Sequence, residues 1–303
     1  MISVVIPHYK GKEKLYANLA SNLAYLKGCE VIVVNDFPDV PLVAEMKIKF
    51  PSVIVVENEK NLGFAGAVSV GIHKAHNPYV FLLNNDVVLK DDSYKNALAH
   101  FHENNRLFAV SFKQIEKDGG HVGRNTIYWS HGFFRHSKAD PGTHGINGWA
   151  EGGSMIFDKK KYDEIHGFDT LYSPFYWEDI DLSYRAWKAG YSILFDTKVL
   201  VEHHHESTIA TYFQKSRINT IAYRNQIITI WKNISDPMYF CEHLLYLIKN
   251  TIVFSLRGHH EFRRGLGMAI VLLPTILDKR RAQWPLWRKT DREIFEQFKT
   301  HRQ

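Results

Sequence analysis

Cysteine is nearly missing from this chain: Cys29 and Cys241 are the two among 303 residues. So few thiols, so far apart, exclude a disulfide framework and a cysteine-based zinc site, and they fit a reducing compartment. Long hydrophobic runs are missing too. The longest uncharged apolar stretch near the C-terminus, Leu266 to Leu277, has 12 residues and contains a proline, too short to span a bilayer. No basic residue precedes the first apolar run, Ile2–Pro7, so it reads as a strand rather than a signal peptide. The 19 glycines and 10 prolines follow no period, which excludes a collagen-like chain, and the 45% apolar content excludes disorder. The expected location is the cytoplasm.

Charge is present but unevenly placed. Residues 211–303 hold 16 Lys+Arg against 7 Asp+Glu, a net of +9, and the remaining 210 residues carry a net of −3. The expected division is a near-neutral body over 1–210, with halves at about 1–105 and 106–210, and a basic helical extension over 211–303. Such asymmetry suggests contact between the extension and a membrane surface or polyanion.

The first hundred residues alternate two kinds of pattern. Ile2–Pro7, Val31–Asn35, Val53–Glu57 and Tyr79–Leu83 are short, nearly continuous apolar runs, as strands covered on both faces require. Between them, helical periodicity runs roughly over Lys12–Leu26, Val40–Phe50 and Gly63–Ala75. The alternation predicts an α/β fold with a mainly parallel sheet and right-handed crossovers. Residues 105–150 break the rhythm and read as irregular loops and short strands. Beyond them the patterns predict a strand near Ser154–Phe157, helices near Lys159–Ile165 and Ile180–Ala189, and two strands near Tyr191–Phe195 and Lys198–Glu202.

Ligands of such sheets bind beyond the carboxyl ends of the strands. Those ends carry the candidate groups. Asn84-Asn85-Asp86 suits a hard divalent cation, or forms a polar turn. Asn35-Asp36 can accept hydrogen bonds from a base or ribose, or is again a turn. Asn61 to Ala67, with Gly63 and Gly66, opens a helix whose N-terminus can face a diphosphate, although close helix–sheet packing explains the glycines as well. Glu178, Asp179 and Asp181 crowd a helix start behind Phe175, Tyr176 and Trp177, as a general base or as a capping cluster. Asp181 and Arg185, four apart, can pair on one face. His203 and His205 share a face of an extended segment and can bind a metal or a phosphate, or form a solvated turn.

In order along the chain, Val4-Val5-Ile6-Pro7-His8-Tyr9, Val33-Val34-Asn35-Asp36, Asn61-Leu62-Gly63-Phe64-Ala65-Gly66-Ala67, Leu83-Asn84-Asn85-Asp86, Gly152-Gly153, Glu178 to Arg185 and His203 to Ser207 resemble family 2 glycosyltransferases of the GT-A fold. The resemblance covers about residues 1–233 and looks most like bacterial rhamnosyltransferase- and galactofuranosyltransferase-type enzymes of cell-surface polysaccharide synthesis. It implies inverting transfer from a dTDP- or UDP-sugar to a glycan or lipid-linked acceptor. By the same resemblance Asp179 would be the base, with Glu178 and Asp181 as supporting neighbours. Asn35 and Asp36 would hold base and ribose, with Pro7 and Tyr9 lining the pocket. Asn61, Gly63, Phe64, Gly153 and Trp177 would complete the donor site. Asp86 would bind Mg2+ or Mn2+ with the diphosphate. Asn84 stands where the family carries its first aspartate, so His203 or His205 would complete the metal site; without a metal, Arg224 would neutralise the diphosphate.

Two other classes compete. A nucleotide-binding dehydrogenase would need a glycine fingerprint after the first strand, where this chain has His8-Tyr9-Lys10-Gly11-Lys12. A non-catalytic membrane- or polyanion-binding scaffold would use the basic tail and leave Glu178-Asp179 without a task. No nucleic acid is expected as a partner. Tyr239–Leu256, the basic residues Arg257, Arg263, Arg264 and Lys279 to Arg281, and Trp284 and Trp287 suit amphipathic helices on an anionic membrane surface, peripheral on its inner face, or a helical cap on the body.

Overall fold

The computed structural model describes residues 1–203, 213–258 and 260–299. Strand β1 (Ile2–His8), helix α1 (Lys12–Leu23), β2 (Glu30–Asn35), α2 (Val43–Lys49), β3 (Val53–Glu57), α3 (Gly63–Lys74) and β4 (Tyr79–Leu83) follow the alternation read from the sequence. They pair in parallel in the order β3-β2-β1-β4. Successive side chains point to opposite faces, and both faces are covered. Val4 and Ile6 pack with Leu15 and Leu19 of α1, whereas Val5 packs with Val68 and Ile72 of α3.

Next come β5 (Val87–Leu89), α4 (Ala97–Glu103), β6 (Leu107–Ile115), β7 (His121–Val122), β8 (Asn125–Ser130), β9 (Phe133–Lys138), β10 (Gly145–Ile146), β11 (Ser154–Asp158), α5 (Lys159–Glu164), α6 (Glu178–Lys188) and β12 (Ser192–His203). The sheet extends as β10-β12-β6-β11 beyond β4, with β5 beside β12 and β7 beside β6, while β8 and β9 form a separate hairpin. The sheet is therefore mixed: its first half is parallel, and β11 runs antiparallel to both β4 and β6.

Two expectations change. The irregular stretch contains a nine-residue strand, β6, whose Leu107–Phe112 is buried and which pairs in parallel with β12. The histidines and glycines that follow it hide its continuous apolar run. The two short strands near Tyr191 and Lys198 are one strand, β12, whose register shifts between Asp196 and Leu200. Asp196 at that shift accepts from the backbone N–H of Lys198, so the ladder is interrupted while the direction is kept.

The C-terminal helices are α7 (Lys215–Asn233), α8 (Pro237–Leu256), α9 (His260–Val271), α10 (Leu273–Gln283) and α11 (Asp291–Glu296). Their Ile227, Phe262, Ile276, Ile294 and Phe295 lie in one apolar cluster with Val5, Trp177 and Tyr184. Glu242 and His243, which interrupt the apolar run of α8, face inward: Glu242 accepts from Trp129 Nε1 at 2.7 Å, and His243 Nδ1 lies 2.7 Å from the Gly132 carbonyl. The buried Asp291 carboxylate ties the chain end to the body. It accepts from Tyr184 Oη at 2.6 Å, Lys188 Nζ at 3.0 Å and the backbone N–H groups of Ser235 and Asp236. Asp291→Ala takes from the buried Lys188, whose pKa desolvation already lowers, its ionic partner in the interior. It should cost about 3–5 kcal/mol of unfolding free energy, read as a lower denaturant midpoint at unchanged slope.

Candidate active site

The carboxyl ends of β1, β2 and β4 lie along one edge of the sheet, and the start of α3 joins them there. Asp36 Oδ1 accepts from Asn58 Nδ2 and from the backbone N–H of Leu62, both at 2.8 Å, which ties the end of β2 to the opening of α3. Burial raises the Asp36 pKa, and those same bonds oppose the shift. Asn35 braces the following loop instead: it donates to the Val40 carbonyl at 2.9 Å and accepts from the Phe37 N–H at 3.2 Å. Pro7 is half-buried beside Val34. Tyr9 and Phe37 meet edge to face at 5.5 Å, with Lys10 over both rings. Asn61 Oδ1 accepts from the Gly63 N–H at 2.8 Å. Gly63 has φ +71°, and a side chain there would press on the Pro174 carbonyl and Ser173 Oγ. The glycine is thus required both by its left-handed backbone and by the loop above it.

Asn84, Asp86, Gly153 and His203 converge at the far end of β4. The Asn84 N–H donates to the Gly153 carbonyl at 2.9 Å. A Cβ at Gly153 would sit 2.9 Å from His203 Cε1 and 3.5 Å from Asn84 Nδ2, so the bare backbone lets the ring reach the triplet. His203 Nε2 lies 3.3 Å from Asp86 Oδ1. Asp86 Oδ1 and Asn84 Oδ1 are buried with no hydrogen-bond partner among the described residues. A buried carboxylate oxygen without a hydrogen-bond partner, 3.3 Å from an imidazole nitrogen and beside a second unpartnered amide oxygen, fits a divalent cation that takes oxygen and nitrogen ligands. Among the described residues no three His, Cys, Asp or Glu side chains form a complete cage. His205 lies outside the described residues. Asn85 turns toward β1, with Nδ2 at 2.9 Å from His8 Nδ1, and burial lowers the His8 pKa to about 4.

The third group is at the start of α6, two residues earlier than the sequence pattern suggests, so Glu178 and Asp179 lie in its first turn. Asp179 accepts from the N–H of Ile180 at 2.8 Å and of Gly152 at 3.2 Å. Burial pushes its pKa up to about 6, opposed by the Gly152 N–H and assisted by the nearby Glu151 carboxylate. Glu178 is buried, its Oε2 has no partner among the described residues, and burial first and Asp179 second raise its pKa well above the carboxylate range. Asp181 is spoken for: Arg185 Nε, Lys232 Nζ, Asn233 Nδ2 and Tyr172 Oη all donate to it. It braces the helix from within the protein.

The preceding loop is held under tension. Tyr176 and Trp177 both have left-handed backbones, φ 70° and 76°, unusual for aromatic residues. Asn225 of α7 holds the turn, donating to the carbonyls of Tyr172, Phe175 and Tyr176 at 3.0, 3.0 and 2.7 Å. Arg224, expected to face a diphosphate, commits Nη2 to the carbonyls of Tyr172 and Ser173 and Nε to Asn225. Trp177 packs against Phe134 and His136. Phe64 and Asp179 both flank Gly152: a Cβ there would lie 3.0 Å from the Phe64 ring and 3.8 Å from Asp179 Cβ.

Four residues here carry no motif: Gln114, Glu151, Asn225 and Lys232. Each is an ordinary polar residue in sequence, and strand pairing or helix packing alone brings it to the site.

The family model described as Glycosyl transferase family 2 matches residues 3–165. No curated protein matches the sequence. Among solved structures, GalNAc-T7 with UDP, GalNAc and Mn2+ superposes at a TM-score of 0.63 and 16% identity, over 90% of this chain and 57% of that one. This chain thus spans little more than half the length of that relative. TarS 1–349 of S. aureus superposes at 0.54 and 16% identity, over 99% of this chain and 92% of its own. The mannosyltransferase PcManGT from Pyrobaculum calidifontis, in complex with GDP-Man and Mn2+, superposes at 0.50 and 11% identity, over 93% and 86%. At these identities the likeness is one of fold, and the mixed α/β sheet flanked by helices is the GT-A architecture. Asn225→Ala removes the donor from three buried carbonyls and should lower unfolding free energy by about 1–3 kcal/mol, measured by urea unfolding.

Proposed function

This chain belongs to glycosyl transferase family 2, and from that premise we propose that it moves a sugar from a dTDP- or UDP-sugar onto a hydroxyl of a glycan or lipid-linked acceptor, with inversion and with a divalent cation, in cell-surface polysaccharide synthesis. One observation carries the reading. The dipeptide Gly152-Gly153 touches Asp179 and Phe64 on one side and His203 and Asn84 on the other. A base and a cation site thus stand one residue apart, as an attacking hydroxyl and a departing diphosphate require.

In this reading Asp179 takes the proton of the acceptor hydroxyl as that oxygen bonds to the anomeric carbon. The bond from that carbon to the diphosphate oxygen breaks, and its electron pair leaves with the diphosphate. Asp36, already oriented by Asn58 and Leu62, receives the nucleoside. When bound, a divalent cation held by Asp86 and His203, with Asn84 beside them, supplies positive charge at the leaving group. Relatives of the same fold support such an ion: GalNAc-T7 and PcManGT carry Mn2+ in their structures.

Asp179→Asn should retain the fold and lower transfer by about 10²–10⁴-fold, read as nucleotide release from a panel of dTDP- and UDP-sugars. Transfer within tenfold of wild type would remove Asp179 as the base. Because burial raises the Asp179 pKa to about 6, the carboxylate is ionised above that pH and protonated below it. The rate should therefore fall tenfold per pH unit as pH drops below about 6. Asp86→Ala should weaken donor binding and abolish the dependence on Mn2+. Undiminished activity of the wild type in excess chelator would remove the metal from the proposal.

The tail supports a second element, contact with an anionic membrane surface. Among the described residues no helix is long and apolar enough to cross a membrane. Yet α8 presents Leu245, Ile248, Ile252 and Leu256 outward, 70%, 62%, 56% and 83% exposed. The exposed bases Lys249, Arg257, Arg263 and Arg264 accompany them. Other bases of the tail are used internally: Arg280 Nη1 donates to the carbonyls of Trp231, Lys232 and Ile234, and Lys279 pairs with Asp169. An apolar stripe beside solvated basic residues suits an interfacial helix. The protein should co-sediment with anionic vesicles and be loosened by high salt, which screens attraction beyond about 8 Å at physiological strength. Equal recovery in the supernatant with anionic and neutral vesicles at both salt concentrations would overturn this element.

A further inference from the structure

Behind His203 stands an ordered line of polar groups. Gln114 lies on β6, fully buried, and Glu151 lies in the segment leading to β11. Gln114 Nε2 is 2.5 Å from Glu151 Oε2, and Gln114 Oε1 is 2.6 Å from His203 Nδ1. Glu151 Oε1 accepts in turn from Asn125 Nδ2 at 2.9 Å, and that amide is also held by the Gly123 carbonyl at 3.3 Å. The far end of the line is His203 Nε2, 3.3 Å from Asp86 Oδ1.

The direction of each bond follows from chemistry. A carboxylate only accepts, so Gln114 must turn its NH2 toward Glu151 and its oxygen toward His203. An amide oxygen also only accepts, so His203 Nδ1 must carry the hydrogen. In a neutral ring that leaves the Nε2 lone pair on the side of Asp86. From this we infer that Glu151 and Gln114 are positioning residues for the cation site: they fix the His203 tautomer in which Nε2 is a ligand, before any ion arrives. The inference rests on the metal reading proposed above and deepens it by naming what makes the imidazole competent. Outer-shell partners of this kind are worth about 10–100-fold in metal affinity.

Strand pairing makes the arrangement possible. Gln114 is opposite Val201 on β12, and His203 is opposite Val87 on β5, next to Asp86. The same strand, β12, thus delivers the ring to the acid and to its orienting amide. Gly153 clears the approach on the third side.

Glu151→Gln tests the polarity of the line rather than its presence. The new side chain has one donor end, yet it faces two donors, Gln114 and Asn125. Asn125 is tied to the Gly123 carbonyl, so the conflict is relieved by turning Gln114. Its NH2 then faces His203 and moves the ring hydrogen from Nδ1 to Nε2. Two readouts follow, both on metal-free or inactive protein. Long-range 1H–15N correlation spectra at a pH where the ring is neutral should show His203 with Nδ1 protonated in the wild type and Nε2 protonated in Glu151→Gln. Mn2+ titrations followed by electron paramagnetic resonance should show affinity about 10–100-fold weaker in Glu151→Gln. Gln114→Leu, which removes the orienting oxygen altogether, should weaken Mn2+ comparably, with wild-type backbone spectra marking a retained fold.

A wild-type His203 protonated at Nε2 would overturn the inference. So would a Glu151→Gln variant with an unchanged tautomer and Mn2+ affinity within threefold of wild type. A wild type with the expected tautomer that binds no Mn2+, with or without donor nucleotide, would overturn the metal reading instead. It would reduce the line to a structural brace, which also refutes the positioning role.

Discussion

The rest of the site depends on the buried carboxylate of Asp181. Four donors from three directions meet on it: Arg185 from its own helix, Lys232 and Asn233 from α7, and Tyr172 from the turn before the helix. Lys232 extends the set to Asp169, and Lys279 of α10 closes it from outside. A charge so far from water is tolerable only when its partners are all in place, so the network forces α6, α7 and α10 into one arrangement. Asp179, the proposed base, is two residues earlier on the same helix. Its position is therefore inherited from this buried ion cluster.

The strained Tyr176-Trp177 turn belongs to the same arrangement. Left-handed aromatic residues persist only when their surroundings leave no alternative. Asn225 and Arg224 supply that constraint by binding the loop's carbonyls, and they sit about two helical turns before Lys232 on α7. The C-terminal helices thus hold the start of α6 in two ways, through the bonds to Asp181 and through Asn225 on the preceding turn. Their sharing of one apolar cluster with Val5 and Tyr184 is the packing counterpart of that link.

The parallel half of the fold was legible because each of its strands is a continuous apolar run, bounded by polar residues at its carboxyl end. Asp36, Asp86, Asp179 and Gly153 were legible for a related reason: they lie at strand or helix ends, where local pattern marks the place. What could not be read was anything set by register. β6 hid among glycines and histidines. Gln114 and Glu151 acquire meaning only through pairing with β12 and the approach to β11. Arg224 carried the right charge for a diphosphate, but its direction is decided by the neighbouring Asn225 and by the loop it holds. Asp181 looked like its two acidic neighbours in sequence. Helical rotation over the two residues from Asp179 sends it to the side away from Asp179, among cations.

The shared wall of Gly152 and Gly153 has a thermodynamic consequence. The Gly152 N–H stabilises ionised Asp179, while the Gly153 backbone is pressed between His203 and Asn84. On the proposed function, a donor that settled against the Gly153 side and drew the Gly152 N–H closer to Asp179 would lower the carboxylate's affinity for a proton. By reciprocity, a proton on Asp179 would weaken the hold on that donor by the same factor. Acidity and donor occupancy would then be two faces of a single equilibrium, transmitted through one peptide unit.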